Sequence, residues 1–153
     1  MPEPESEQVA GRPTQPGPRQ HGPQVLVDAD NLDVGRLQLI APVLAGVQRV
    51  VVAGRPARLA RVPWPAGADV RPAGGWQRAD AVLAEAYVPD DEPLVLVTGD
   101  GDFALLAQRH QGPVLVVGIS GATSGRLRRG DGVTVVDPVH DGLERLRAWL
   151  SPG

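Results

Sequence analysis

Gln24-Val25-Leu26-Val27-Asp28-Ala29-Asp30-Asn31 and Leu94-Val95-Leu96-Val97-Thr98-Gly99-Asp100-Gly101-Asp102 carry the strongest strand signals in the chain. Each is an unbroken aliphatic run that ends abruptly in carboxylates. A short apolar run without polar alternation fits a strand buried on both faces, as in a parallel sheet covered by helices. Val50-Val51-Val52-Ala53, closed by Gly54, and Val114 to Val117 repeat the pattern. Val133 to Val136 reads as a last strand, and Ala68-Asp69-Val70 as a weak one.

The segments between these runs carry helical spacing. A helix is predicted through Leu37, Leu39, Ile40, Val43 and Leu44, kinked or shortened by Pro42. A short helix is expected around Arg58. A longer one runs from about Gln77 to Tyr87, with Ala79, Val82, Leu83 and Ala86 as its buried face. Another passes through Phe103, Leu106 and Ala107. Ser124 to Arg129 is expected to form a short basic helix, and His140 to Leu150 an amphipathic closing helix. Apolar strands alternating with helices predict the α/β class: a three-layer α/β/α sandwich with a mostly parallel central sheet.

The chain has 153 residues, enough for one domain and a tail. Residues 1–23 are rich in Pro, Gly, Glu and Gln and hold almost nothing to bury, so a disordered tail is expected, with the domain at 24–153. Aromatics are only 3%, so the core must be built from Val, Leu and Ala. The absence of cysteine removes disulfides, thiolate metal sites and cysteine nucleophiles. All 15 basic residues are arginines. Without lysine there is no Walker-type phosphate loop and no Schiff-base chemistry. The net charge of −3 argues against nucleic-acid binding by bulk charge, so such a role requires a local patch or bound cations. No apolar run reaches the ~20 residues of a membrane span. The N-terminus lacks the apolar segment of a signal peptide, which leads to a cytoplasmic expectation.

The chemistry collects where the strands end. Asp28 and Asp30 close the first strand, and Asp100 and Asp102 follow the strongest later one. Ligands of open α/β sheets bind beyond the carboxyl ends of the strands, near the switch in strand order. If these two strands are neighbours, their carboxylates meet, which is costly unless a cation lies between them. Oxygen donors with no Cys, and no His near the motifs, suit Mg²⁺ or Mn²⁺ rather than Zn²⁺. Asp and Gly after a strand are also ordinary turn and cap residues. Two such motifs, each directly after an apolar strand, tilt the reading toward a metal. Asp80 adds a third acid early in a helix, where the helix dipole alone would also favour it.

Three segments then carry a resemblance: VLVDADNLD from Val25, GGWQRADAVLAEAYV from Gly74, and LVLVTGDGDFALLAQRHQGPVLVVGISGATSGRLRR from Leu94. In this order, over about residues 24–137, they resemble the NYN domain, a branch of the PIN-like nucleases. The resemblance implies a metal-dependent ribonuclease acting in RNA processing. It implies Asp28, Asp80 and Asp100 as metal-binding acids, Asn31 as the amide of the first motif, and Asp102 as the second acid of the late motif. These five form the expected catalytic set. Asp30 falls where the family varies and reads as peripheral. Ser124 and Arg126 match the turn that faces substrate phosphate. The chain departs from the pattern in its short link between the second strand and the Ala-Asp helix. Gly75-Trp76 also stands where a lysine is often found.

Physical chemistry runs beside that resemblance. Phosphodiester cleavage needs an activated water and stabilised phosphate oxygens, which a bound Mg²⁺ or Mn²⁺ supplies. Asn31 can orient a water or phosphate without adding charge. Arg126, Arg128 and Arg129 can hold phosphates bidentately, or simply form a solvated helix face. Trp76 can stack a base, although such a Trp more often packs. The partner expected is RNA, with a second copy or another protein chain as the further candidate.

Two other classes compete. Asp28-Ala29-Asp30 after a strand mimics a haloacid-dehalogenase-like phosphatase, but that chemistry uses a lysine, as does a receiver domain. The other competitor is a catalytically weak RNA-binding or protein-interaction module on the same fold.

Overall fold

The computed structural model describes residues 22–74, 78–99, 103–119 and 133–151. The expected tail lies outside the described residues up to residue 21, as does the whole of the expected 124–129 helix. Six strands form one sheet: β1 (Gln24–Asp28), β2 (Arg49–Gly54), β3 (Asp69–Pro72), β4 (Leu94–Val97), β5 (Val114–Val117) and β6 (Val133–Val136). Their order is β3-β2-β1-β4-β5-β6, and every pairing is parallel. The helices are α1 (Val34–Ile40), α2 (Pro56–Leu59), α3 (Ala79–Ala86), α4 (Ala104–Arg109) and α5 (Glu144–Leu150). Short 3₁₀ turns follow β1 at Ala29–Asn31 and α1 at Ala41–Leu44.

Side chains alternate across a strand, so each apolar run supplies two cores. Val25, Val27, Val95, Val97, Leu115 and Val117 face Leu37, Ile40 and Leu44 of the α1 region, Leu59 of α2 and Leu146 of α5. Leu26, Leu94, Leu96, Val114 and Val116 face Ala79, Val82 and Leu83 of α3 and Ala104 and Ala107 of α4. Helices therefore cover both faces, and the architecture is the expected three-layer α/β/α sandwich.

Strand β3 is the least buried, with Val70 exposed, as befits an edge. Pro42 ends regular α-helix, and the chain continues as the 3₁₀ turn because proline has no amide to donate. The closing helix begins at Glu144 rather than at His140. The reason is local: Asp137 Oδ1 accepts from the Val139 and His140 amides, and the Asp137 amide donates to Asp141 Oδ2. Gly142 then takes φ +80°, a left-handed turn that glycine adopts without strain.

The amino ends of the strands are fastened by polar side chains. Gln24 makes two hydrogen bonds to the backbone of Val88, at 2.8 and 2.9 Å. His110 lies between Tyr87 Oη and the Glu92 carbonyl, both at 2.6 Å. A carbonyl only accepts, so Nε2 carries the proton and Tyr87 donates to Nδ1. This histidine is a structural tie at the end of the sheet away from the acids.

Candidate metal centre at the strand switch

The order β3-β2-β1-β4 places the topological switch between β1 and β4, where the chain's crossovers run off in opposite directions. This is the crevice in which open α/β sheets bind ligands. The register puts Val27 directly beside Val97, so Asp28 and Thr98, the residues that follow them, leave the sheet side by side. Adjacency of these strands was the geometric condition set by the sequence, and it is met.

Asp28 ends β1 and is fully buried. Its Oδ2 accepts from Asn31 Nδ2 at 2.6 Å and from Thr98 Oγ1 at 3.1 Å. Asn31 reaches back because the Ala29–Asn31 stretch forms a 3₁₀ turn, which brings the amide over the strand end. Thr98 is the residue that follows β4. The hydrogen bond from Thr98 thus joins two motifs 70 residues apart in the chain.

A cleft of about 390 Å³ opens beside this network, lined by Asp30, Asn31, Arg55, Ala73, Gly74, Arg78, Ala79 and Asp80. Asp80 is on the first turn of α3, which packs over β1 and β2 and starts at the carboxyl end of the sheet. Its Oδ1 accepts from the Ala81 amide at 2.9 Å and lies 3.5 Å from Arg78 Nε. Asn31 is therefore shared between the Asp28 network and the cleft that holds Asp80.

Asp28, Asn31 and Asp80 all lie at the carboxyl end of the sheet; Asn31 bonds Asp28 and lines the same cleft as Asp80. Asp100, Asp102, Trp76, Ser124, Arg126 and Arg128 lie outside the described residues. Among the described residues, no three His, Cys, Asp or Glu side chains are grouped so as to hold a metal ion. The donors at this end of the sheet are carboxylate and amide oxygens, a set that fits a hard divalent cation rather than a soft one.

Asp30 has a place that its sequence position did not reveal. Its Oδ1 accepts from the Arg55 amide at 3.0 Å, tying the turn after β1 to the start of α2. Gly54 allows that approach: a Cβ there would sit 2.9 Å from the Ala29 Cβ and 3.2 Å from Asp30 Oδ1. Gly54→Ala is therefore expected to lower stability by about 1–3 kcal/mol through overpacking. Denaturant unfolding measures it, and a change below a few tenths of a kcal/mol would show that the contact yields freely.

Arg55 and Arg78 were not singled out by sequence either. Both are exposed and both line the cleft. The signal was faint, since the chain scatters arginine widely and only the sheet order brings these two together.

Comparison with known proteins adds the fold. No family model matches the chain, and no curated protein matches it. A crystal structure of a protein of unknown function from Vibrio parahaemolyticus matches with a TM-score of 0.51 and 21% identity, over 78% of this chain and 96% of that one. The similarity is one of fold. Across the described residues no helix is long and apolar enough to cross a membrane.

Proposed function

We propose that the chain is a metal-dependent ribonuclease of the NYN type, acting on RNA in the cytoplasm with Mg²⁺ or Mn²⁺ as cofactor. The observation that carries this reading is the Thr98–Asp28 hydrogen bond at the β1/β4 switch. It joins the two motifs whose acids the proposal needs in one place, with Asp80 opening from α3 into the adjoining cleft.

In this reading Asp28, Asp80 and Asp100 hold the cation, and Asp102 supports the late motif. When bound, the cation lowers the pKa of a water and neutralises charge on the phosphate oxygens. Asn31 keeps Asp28 oriented and presents its amide toward the cleft, where it can fix a phosphate or a water without adding negative charge. Thr98 fixes the same carboxylate from the other strand. Ser124, Arg126, Arg128 and Trp76 are proposed to contact substrate phosphate and base.

A second reading, an RNA-binding module without chemistry, draws on a different observation. Asp28 is fully buried and engaged by two side-chain donors, as a purely structural carboxylate also would be. The deciding experiment is cleavage of labelled structured and unstructured RNA by the unmodified protein, with and without Mg²⁺ or Mn²⁺. Cleavage that depends on the metal supports the nuclease. Binding without cleavage under every metal condition supports the module.

A further inference from the structure

We infer that Arg55 and Arg78 form a phosphate-binding wall of the cleft, gripping the backbone of a single RNA strand on the β2–β3 side of the acids. The inference rests on the ribonuclease reading and deepens it by assigning where the substrate lies.

Arg55 leaves the sheet at the end of β2, and Arg78 stands immediately before α3, which follows β3. Two adjacent crossovers thus deliver two guanidinium groups to one cleft. The Arg55 backbone is fixed by Asp30, which holds the residue at the rim. Its side chain makes no hydrogen bond or ion pair among the described residues. Four arginines are already committed, Arg36 to Asp137, Arg49 to Asp90, Arg58 to the Leu32 carbonyl and Arg71 to Asp69, and none of these four lines the cleft. Arg78 is 73% exposed on its side chain and touches Asp80 only at 3.5 Å. Its guanidinium can therefore turn to a ligand without breaking a buried pair.

Charge completes the argument. The described walls carry Asp30 and Asp80 against Arg55 and Arg78, so the cleft is balanced within a chain of net charge −3. An arrangement of mixed sign suits a phosphodiester chain, with carboxylates toward a cation and guanidiniums toward phosphate oxygens. Arginine matches phosphate with paired N–H groups, and it is the sole strong cation this lysine-free chain has for that purpose. The grip also explains how an acidic protein can hold an anionic strand locally.

The test uses the full chain and a fluorescent single-stranded RNA of about twelve nucleotides. Affinity is read by anisotropy in Ca²⁺, and cleavage separately in Mg²⁺ or Mn²⁺. The double variant Arg55→Ala/Arg78→Ala is expected to bind about 10–30-fold more weakly near 0.1 M salt, with a salt slope shallower by about 1–1.5. KM for cleavage should rise by a similar factor and kcat should change less. The comparison variant is Arg61→Ala/Arg109→Ala, which removes the same charge from exposed positions outside the cleft. It should move affinity by less than about threefold, as expected when no direct phosphate contact is lost. Equal losses in the two double variants, or none in the first, would overturn the assignment while RNA cleavage by the unmodified protein left the nuclease reading in place. An unmodified protein that neither binds nor cleaves RNA would overturn both.

Discussion

Asp28→Asn should yield a folded protein that has lost RNA cleavage by more than about 100-fold, since removing even supporting groups around a metal costs 10–100-fold. The substitution keeps the side chain's shape. It also keeps an acceptor oxygen for Asn31 and Thr98, which now donate at 2.6 and 3.1 Å. What it removes is the negative charge, in a residue with no exposure to solvent. Burying an ionised carboxylate carries a larger desolvation cost than burying an amide. The metal-free variant should therefore melt at the same temperature as the unmodified protein or higher. Under the proposed metal site, Mg²⁺ should stabilise the unmodified protein by mass action, and much of that gain should vanish in the variant. A structural carboxylate gives the reverse pattern: lower stability for the variant and no effect of metal on either protein. Thermal melts of both proteins, each with and without Mg²⁺, separate the two.

Arg36→Met should destabilise the protein by about 3 kcal/mol, the scale for breaking a buried ion pair. Arg36 binds Asp137 through both Nε and Nη2 at 2.9 Å, and Asp137 is only 3% exposed. The pair clamps the start of α1, just after the first acidic motif, to the end of β6 at the far side of the sheet. Methionine retains much of the apolar stem, so the loss isolates the guanidinium. Hydrogen bonds to Asp137 hold the arginine above its ordinary pKa, so it stays charged at any working pH. For a chain of this size a loss of ~3 kcal/mol lowers the melting temperature by roughly 6–12 °C. A double-mutant cycle with Asp137→Asn should give a coupling above ~1 kcal/mol. A coupling near zero would class the pair with ordinary surface bridges.

The same arginine supports Asp33, the N-cap of α1, whose carboxylate accepts from the Arg36 amide and guanidinium at 3.0 Å. Partial burial pushes the Asp33 carboxyl up, but these hydrogen bonds more than offset it and leave it below its ordinary value. Its contribution is thus present above the unfolded value of ~3.9 and fades as pH falls through the lower folded value. That contribution is small because Asp33 is about half exposed.

Much of this fold was legible because the strands are written as unbroken aliphatic runs. Val25–Val27, Val50–Ala53, Leu94–Val97 and Val114–Val117 read as strands buried on both faces, and both faces are indeed covered. The faint reading of β3 has a physical cause: an edge strand with exposed Val70 needs little apolar patterning. The start of the last helix was misplaced because Asp137, Asp141 and Gly142 build a turn from side-chain hydrogen bonds, which helical periodicity does not reveal.

The site was legible in part. Asp28 and Asn31 announced themselves by following a strand, and Asp80 by its place among small residues at a helix start. The Arg36–Asp137 clamp spans 101 positions, and no local pattern marks it. Arg55 and Arg78 each look like one more arginine in an arginine-rich chain until the order β3-β2-β1 sets their loops side by side. Asp30 reads as a spare acid in the sequence, yet it fastens two strand ends through the Arg55 amide.

The metal dependence of RNA cleavage by the unmodified full chain decides whether the acids at the strand switch serve a nuclease. Labelled RNA is incubated with the protein and Mg²⁺ or Mn²⁺, then with excess chelator, and finally with the metal restored. The account predicts cleavage with either ion, its loss on chelation and its return on restoration. Cleavage that persists through chelation, or an absence of cleavage under every metal condition, would contradict it.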